Sequence, residues 1–137
     1  MRRPNSLELL VFLSVVATAA CGSESTIPTE PTPVSVTETF SGTINRNGAA
    51  THIFVAQTAG PVTATLTSVA PDSAVAIGVS LGTWNGSSCH IVLANDNALQ
   101  GAVVTGSASS IGNLCVRVYD VGKVVDATDY VVTVVHP

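Results

Sequence analysis

The sequence is poor in positive charge, with five Lys and Arg against nine Asp and Glu and a net charge of −4. Arg2 and Arg3 stand at the N-terminus, and only Arg46, Arg117 and Lys123 follow. Nucleic-acid binding needs clustered Lys and Arg that neutralise phosphates, and docking onto anionic lipid needs a similar cluster. We therefore expect no nucleic-acid partner and no electrostatic attachment to a membrane.

Aromatic residues and long apolar runs are also scarce. Phe, Trp and Tyr make up 4% of the chain, so a folded core must consist mainly of Val, Ile, Leu and Ala. Phe40, Phe54 and Tyr130 are its expected larger members. The apolar run at residues 9–20 is too short for a transmembrane helix, which needs about 20 apolar residues, but it suits a signal peptide.

The N-terminal residues have the pattern of a bacterial lipoprotein leader. Basic residues 1–3 precede the apolar run, and residues 18–22 (Thr-Ala-Ala-Cys-Gly) resemble the lipobox, although the family usually has Leu where Thr18 stands. The resemblance implies a lipoprotein signal peptide at residues 1–20 and a Cys21 diacylated through its thiol. The alternative is an ordinary signal peptide that is cut near Ala20 and followed by a cysteine only by coincidence.

The lipobox resemblance also implies a location and a partner. Lipid on Cys21 would hold the exported protein on a membrane, because two or more acyl chains give lasting anchorage. Among such lipoproteins, Asp directly after the cysteine favours the inner membrane, and Gly22 stands there instead. We therefore expect an anchor in the cell envelope, at the outer membrane or cell surface.

The cysteine count agrees with this interpretation. The chain has three cysteines, and acylation of Cys21 would leave Cys89 and Cys115 to pair in an oxidising compartment. A loop of that length would stabilise the domain by roughly 3.5 kcal/mol on the chain-entropy model. The alternative is a pair of reduced, buried thiols.

Residues 21–36 are rich in Pro, Thr and Ser and have no apolar periodicity. Pro28, Pro31 and Pro33 favour an extended polyproline II conformation. We interpret the segment as a linker that holds a domain of residues 37–137 away from the membrane. A first strand that begins near Val34 is the alternative for its last residues.

The remainder predicts an all-β fold, because short β-branched runs alternate with Gly, Asn, Asp or Pro and no helical period occurs. The eight runs are residues 36–44, 51–57, 62–69, 75–81, 89–94, 102–107, 114–120 and 130–136. Thr63, Thr65 and Thr67 should face solvent, opposite an apolar face. Asn47-Gly48 and Asn85-Gly86 are signals of hairpins or tight loops. We expect one antiparallel β-sandwich.

Five segments together resemble the bacterial pre-peptidase C-terminal domain over residues 38–136. They are residues 40–42 (FSG), 52–55 (HIFV), 59–66 (AGPVTATL), 112–120 (GNLCVRVYD) and 130–134 (YVVTV). The resemblance implies a jelly-roll-like sandwich that is not an enzyme and that aids secretion, localisation or substrate binding. The family's acidic pair before the middle strand is reduced to Asp72, and no peptidase accompanies the domain, so we expect a free-standing envelope role.

No recognisable catalytic motif or zinc motif occurs. His52, His90 and His136 lie at uninformative spacings, and the mature thiols are assigned to a disulfide, so we expect histidines on strand surfaces rather than a triad or a zinc site. Arg117 and Asp120 are expected to pair with acids and loop groups. The sequence predicts a non-enzymatic domain without a required cofactor.

Two features of the sequence could bind a ligand. Asn95, Asp96 and Asn97 would place three oxygen-bearing side chains in one loop that could bind calcium, with Asp126 and Asp129 in another, but Asn-Asp-Asn is equally typical of a turn. Trp84 could stack on a sugar ring or cap the core. We expect a non-catalytic envelope lipoprotein that displays a binding or structural domain to an unknown protein or polysaccharide; the alternative is a carbohydrate-binding or adhesion module, with calcium as a stabiliser.

Overall fold

The structure is a computed structural model that describes residue 32 and residues 34–137. The predicted signal peptide, Cys21 and most of the predicted linker lie outside the described residues. The described part holds eight strands: β1 (Val36–Ile44), β2 (Ala49–Ala56), β3 (Gly60–Ala70), β4 (Ile77–Trp84), β5 (Cys89–Ala98), β6 (Val103–Ala108), β7 (Gly112–Tyr119) and β8 (Thr128–His136). No helix long and apolar enough to cross a membrane occurs among these residues.

The strands form two four-stranded antiparallel sheets. The first sheet has the order β1-β8-β3-β6 and the second has the order β2-β7-β4-β5. The first four strands pair with the last four in reverse order: β1 with β8, β2 with β7, β3 with β6 and β4 with β5. This is the connectivity of a jelly roll, in which a long antiparallel ribbon is rolled into two sheets. The predicted all-β antiparallel sandwich is confirmed, and each of the eight predicted runs overlaps one strand.

The core lies between the sheets and consists mainly of aliphatic side chains. Val62, Ala64 and Leu66 on β3 are buried, whereas Thr63, Thr65 and Thr67 point to the outer face and are partly or fully exposed. Phe54 and Tyr130 are the largest buried side chains, and Phe40 packs against the core while half-buried. The predicted core composition and face assignment are confirmed.

The two predicted turns differ in what they connect: one joins strands of different sheets and the other joins neighbouring strands of one sheet. Asn47 has a left-handed φ of 58°, and the N–H of Gly48 donates to the Asn45 carbonyl at 2.8 Å. Because β1 and β2 belong to different sheets, this tight turn crosses the sandwich and is not a hairpin. Gly86, with φ of 100°, closes the true hairpin between β4 and β5.

Candidate functional site

The predicted disulfide is confirmed, and it joins two strands that are not neighbours. Cys89 opens β5 and Cys115 lies on β7, with β4 between these strands, yet their Cα atoms are 5.9 Å apart. The start of β5 therefore folds over the outer face of its sheet at Gly82. A Cβ on Gly82 would lie 2.2 Å from the His90 carbonyl oxygen, so only glycine fits under this crossing.

An apolar patch surrounds the disulfide on this outer face, and we call it the disulfide patch. It consists of Ile53, Val55, Trp84 and Ile91. Ile53 is opposite Cys115, Ile91 is opposite Gly82 and Trp84 is opposite Cys89 in the strand registers. Ile53, Val55 and Ile91 are 45%, 40% and 39% exposed. Exposed apolar side chains that share one face of a sheet are candidates for a binding surface.

Trp84 itself is half-buried at the end of β4. Strand alternation places it on the same face as Ser80 and Gly82, away from the core, and it is not a member of the core cluster. The predicted role as a cap on the core is therefore wrong, because Trp84 packs on the outer face beside the disulfide. An indole in this position presents part of its surface to solvent.

The three residues predicted to form a calcium-binding loop lie on a strand instead. Asn95, Asp96 and Asn97 belong to β5, which is longer than the sequence predicted, and the loop assignment is wrong. The Asn95 side chain accepts a hydrogen bond from the Asn97 N–H at 3.0 Å, and Asp96 accepts one from the Tyr119 hydroxyl. Polar side chains are tolerated there because β5 is an edge strand with one flank in water.

Tyr119 is a structural residue that the sequence interpretation missed. Its ring covers Gly78, where a Cβ would lie 2.2 Å from the ring, and the Arg117 guanidinium lies 5.6 Å from the ring centroid. Burial and the hydrogen bond to Asp96 raise the pKa of Tyr119 to about 12. Arg117 therefore stacks on an aromatic ring and does not pair with an acid as predicted. The pairing of Gly78 with Tyr119 joins distant strands, so no local sequence signal identified this contact.

Asp120 organises the loop between β7 and β8, as predicted for a partner of loop groups. Its Oδ1 accepts hydrogen bonds from the N–H groups of Gly122, Lys123 and Val124, and its Oδ2 accepts one from Asn47 at 2.8 Å. These bonds, with that of Asn47 first, lower the pKa of Asp120 to about 2. One carboxylate thus ties the β1–β2 turn to the β7–β8 loop.

Two of the three histidines are not on strand surfaces, and that prediction is wrong for them. His52 is half-buried, stacks on Phe40 and shares a 2.7 Å hydrogen bond with the Tyr130 hydroxyl. His136 is 2% exposed, and its Nε2 lies 2.9 Å from Glu38 Oε1. His90 is exposed on β5, as expected.

No metal site is evident among residues 34–137, where no three His, Cys, Asp or Glu side chains are grouped to hold an ion. Asp72 and Asp126 line a cavity of about 210 Å³ between two loops, together with Lys123. Asp129 lies on β8 and not in a loop as predicted, where it accepts a hydrogen bond from the Thr43 hydroxyl.

The outer face of the first sheet is chemically different from the disulfide patch. It carries hydroxyl side chains on neighbouring strands, and Thr37 on β1, Thr63 on β3 and Thr105 on β6 lie in one row with Val135 of β8. Thr133 shares a hydrogen bond of 2.9 Å with Thr67. The molecule thus presents a hydroxyl-rich face, with Asp129 as a charged member, on one side and the apolar disulfide patch on the other.

No model of a known protein family matches this chain, and a search of curated proteins finds no match either.

Proposed function

We propose that this chain is a non-catalytic lipoprotein of the bacterial cell envelope, whose jelly-roll domain resembles the pre-peptidase C-terminal domain and displays a binding surface on a lipid anchor. The observation that carries the proposal is the Cys89–Cys115 disulfide. Disulfides persist in oxidising compartments outside the cytoplasm. The same pairing leaves Cys21 as the one cysteine outside the disulfide, at the position where the lipobox resemblance places the lipid.

The anchor is tested on the protein isolated from the membrane fraction of an expressing bacterium. Mass spectrometry should show an N-terminus at Cys21 that carries a diacylglyceryl group, with Cys89 and Cys115 linked in non-reduced peptides. Cys21→Ser should abolish the lipid and release the protein from the membrane while the disulfide remains. A free Cys21 thiol in mature wild-type protein, or cleavage elsewhere, would overturn the proposal.

A second candidate is adhesion to a polysaccharide or protein through the disulfide patch. Trp84 supports it, because this half-buried indole lies on the same outer face of the sheet as the exposed side chains of Ile53 and Ile91. An aromatic ring beside apolar neighbours can stack on the apolar face of a sugar or on a partner's side chain. The acidic composition favours a neutral or basic ligand over an anionic one.

This candidate is tested with co-sedimentation of the full-length protein on insoluble cell-wall polysaccharides. Trp84→Ala should raise the dissociation constant about thirtyfold, because hot-spot aromatics contribute about 2 kcal/mol or more to binding. Val125→Ala is the matched control, since Val125 is 82% exposed and lies in the β7–β8 loop away from the patch. Equal binding by both variants would exclude the disulfide patch as the site.

A further inference from the structure

The four edge strands of the sandwich differ in how they are protected against pairing with another chain. An edge strand presents unpaired N–H and C=O groups, and natural proteins block such edges with charge, proline, bulges or inward-pointing polar residues. β1 has the inward Glu38, bonded to His136, and β2 has the inward His52, bonded to Tyr130. β5 is irregular at two places in its pairing with β4, and its Asn95 side chain bonds the Asn97 N–H.

β6 has none of these protections. Its pairing with β3 is regular from Val103 to Ala108, without a bulge. The strand contains no proline, and no charged residue or histidine occurs between Asp96 and Arg117. Within the described part of the chain, no hydrogen bond joins residues 103–108 to any element other than β3. The outer edge of β6 therefore presents free backbone donors and acceptors.

We propose that β6 is a dimerisation edge, where a second copy of this chain adds its own β6 in antiparallel orientation and joins the two β1-β8-β3-β6 sheets into one. A two-fold axis at Thr105 would place Thr105 opposite the partner's Thr105, and Val104 opposite the partner's Gly106. This register keeps the inward-facing residues of both copies on the core side.

The chemistry of the strand favours its own copy as the occupant. Self-pairing of a charged strand brings like charges together, but β6 is neutral, so an antiparallel pair contains no repulsion. The two Thr105 side chains would extend the hydroxyl row of Thr37 and Thr63 across the axis, and Thr–Thr pairs are favourable cross-strand neighbours.

β5, which lies beside β6 in the other sheet, would add apolar contacts near the proposed two-fold axis. β5 follows the same side of the sandwich, with Val92 and Leu93 65% and 39% exposed. Leu93 lies over Gly106, where an added Cβ would approach its Cδ1 to 2.8 Å, and both line an apolar cleft of about 70 Å³ that opens between β5 and β6. Joining two β6 strands would bring these apolar side chains toward those of the partner and remove them from water.

The experiment uses the full-length protein in detergent and in membranes. Thr105→Cys should form a covalent dimer on mild oxidation, because directly opposite Cβ atoms in an antiparallel pair are about 4.5–5.5 Å apart. Thr37→Cys is the matched control, since Thr37 is an exposed threonine of the same row on the opposite edge strand. Thr37→Cys should remain monomeric under the same oxidation.

Sedimentation in density-matched detergent gives the second measurement. Wild type should sediment as a dimer, and Thr105→Lys should raise the dimer dissociation constant about tenfold or more by placing two ammonium groups at the axis. Thr37→Lys should dimerise as wild type does. A monomeric wild type, a Thr105→Lys variant that still dimerises, or a Thr105→Cys variant linked only to a different protein would each overturn the proposal.

Discussion

Asp120 shows how much of this fold depends on single polar side chains. Its carboxylate accepts four backbone N–H groups from two loops, and no helix or strand would otherwise satisfy those donors. Asp120→Ala should lower the free energy of unfolding by about 1–2 kcal/mol, a cost similar to that of losing a helix cap. Asp120→Asn should cost less, because an Asn Oδ1 can still accept from Gly122, Lys123 and Val124. Urea titration measures both.

The contribution of Asp120 to the stability of the fold should decrease at low pH. Because the folded pKa lies near 2, below the ordinary value of 3.8, the folded protein binds fewer protons there than the unfolded chain. The stabilising contribution is full above about pH 4 and is lost as the pH falls toward 2. Asp120→Asn should remove this part of the acid dependence in urea titrations, and an unchanged slope between pH 4 and 2 would contradict the assignment.

His52 should affect stability at a higher pH. Burial lowers the pKa of His52 below its ordinary value of 6.5, so its contribution is full above about pH 6.5 and decreases as the pH falls. His52→Gln should reduce the decline in stability between pH 7 and 5, and thermal unfolding across that range measures it. Tyr130→Phe should cost about 1 kcal/mol by removing the hydroxyl that His52 contacts. A His52→Gln variant with the same pH profile as wild type would mean that His52 is not the group that titrates in this range.

At the scale of the strand, β4 is the element whose composition is most tightly determined. It lies inside its sheet, with Gly78 beneath the Tyr119 ring and Gly82 beneath the His90 carbonyl. Gly82→Ala should destabilise by about 1–3 kcal/mol, because the obstructing atom is backbone and the methyl group overpacks the crossing. Thermal unfolding of the full-length protein measures this cost.

Gly112 provides the control for that substitution. It is also a strand glycine, but nothing lies within 4 Å of an added Cβ. Gly112→Ala should change stability by less than about 1 kcal/mol. A Gly82→Ala variant as stable as Gly112→Ala would mean that β5 does not pass closely over β4.

The strands were predictable from sequence because alternation is a local signal. The threonines of β3 alternate with Val62, Ala64 and Leu66, and that alternation identifies both the strand and its buried face. The end of β5 was not predictable: Asn95, Asp96 and Asn97 have turn propensity, and only an edge position makes such residues acceptable in a strand.

Contacts between distant residues were beyond the same local reasoning. His52 is half-buried beside Tyr130, which is 78 residues away and shares a hydrogen bond with it, and His136 is buried beside Glu38, which is 98 residues away. Neither partner is evident from the residues around the histidine. The disulfide was predictable only because Cys21 had another assigned role, and its path over Gly82 depends on a sheet order that no local pattern encodes.

For the whole molecule, the disulfide is the main constraint beyond the core. It closes a loop with a sequence separation of 26 residues and fastens edge strand β5 to β7 across β4. Replacing both Cys89 and Cys115 by Ser should cost about 3.5 kcal/mol on the chain-entropy model. For a domain of about 100 residues this corresponds to a decrease in Tm on the order of 15–25 °C.

Two measurements separate this constraint from a general loss of packing. A reductant should lower the Tm of wild type to that of the double variant and leave the double variant unchanged. In hydrogen exchange, the amides of β5 should lose protection more than those of β8, because β5 is the edge strand that the disulfide fastens while β8 is held between β1 and β3. Equal loss in both strands would mean that the disulfide acts only by limiting the unfolded chain, with no additional fastening of β5 to its sheet.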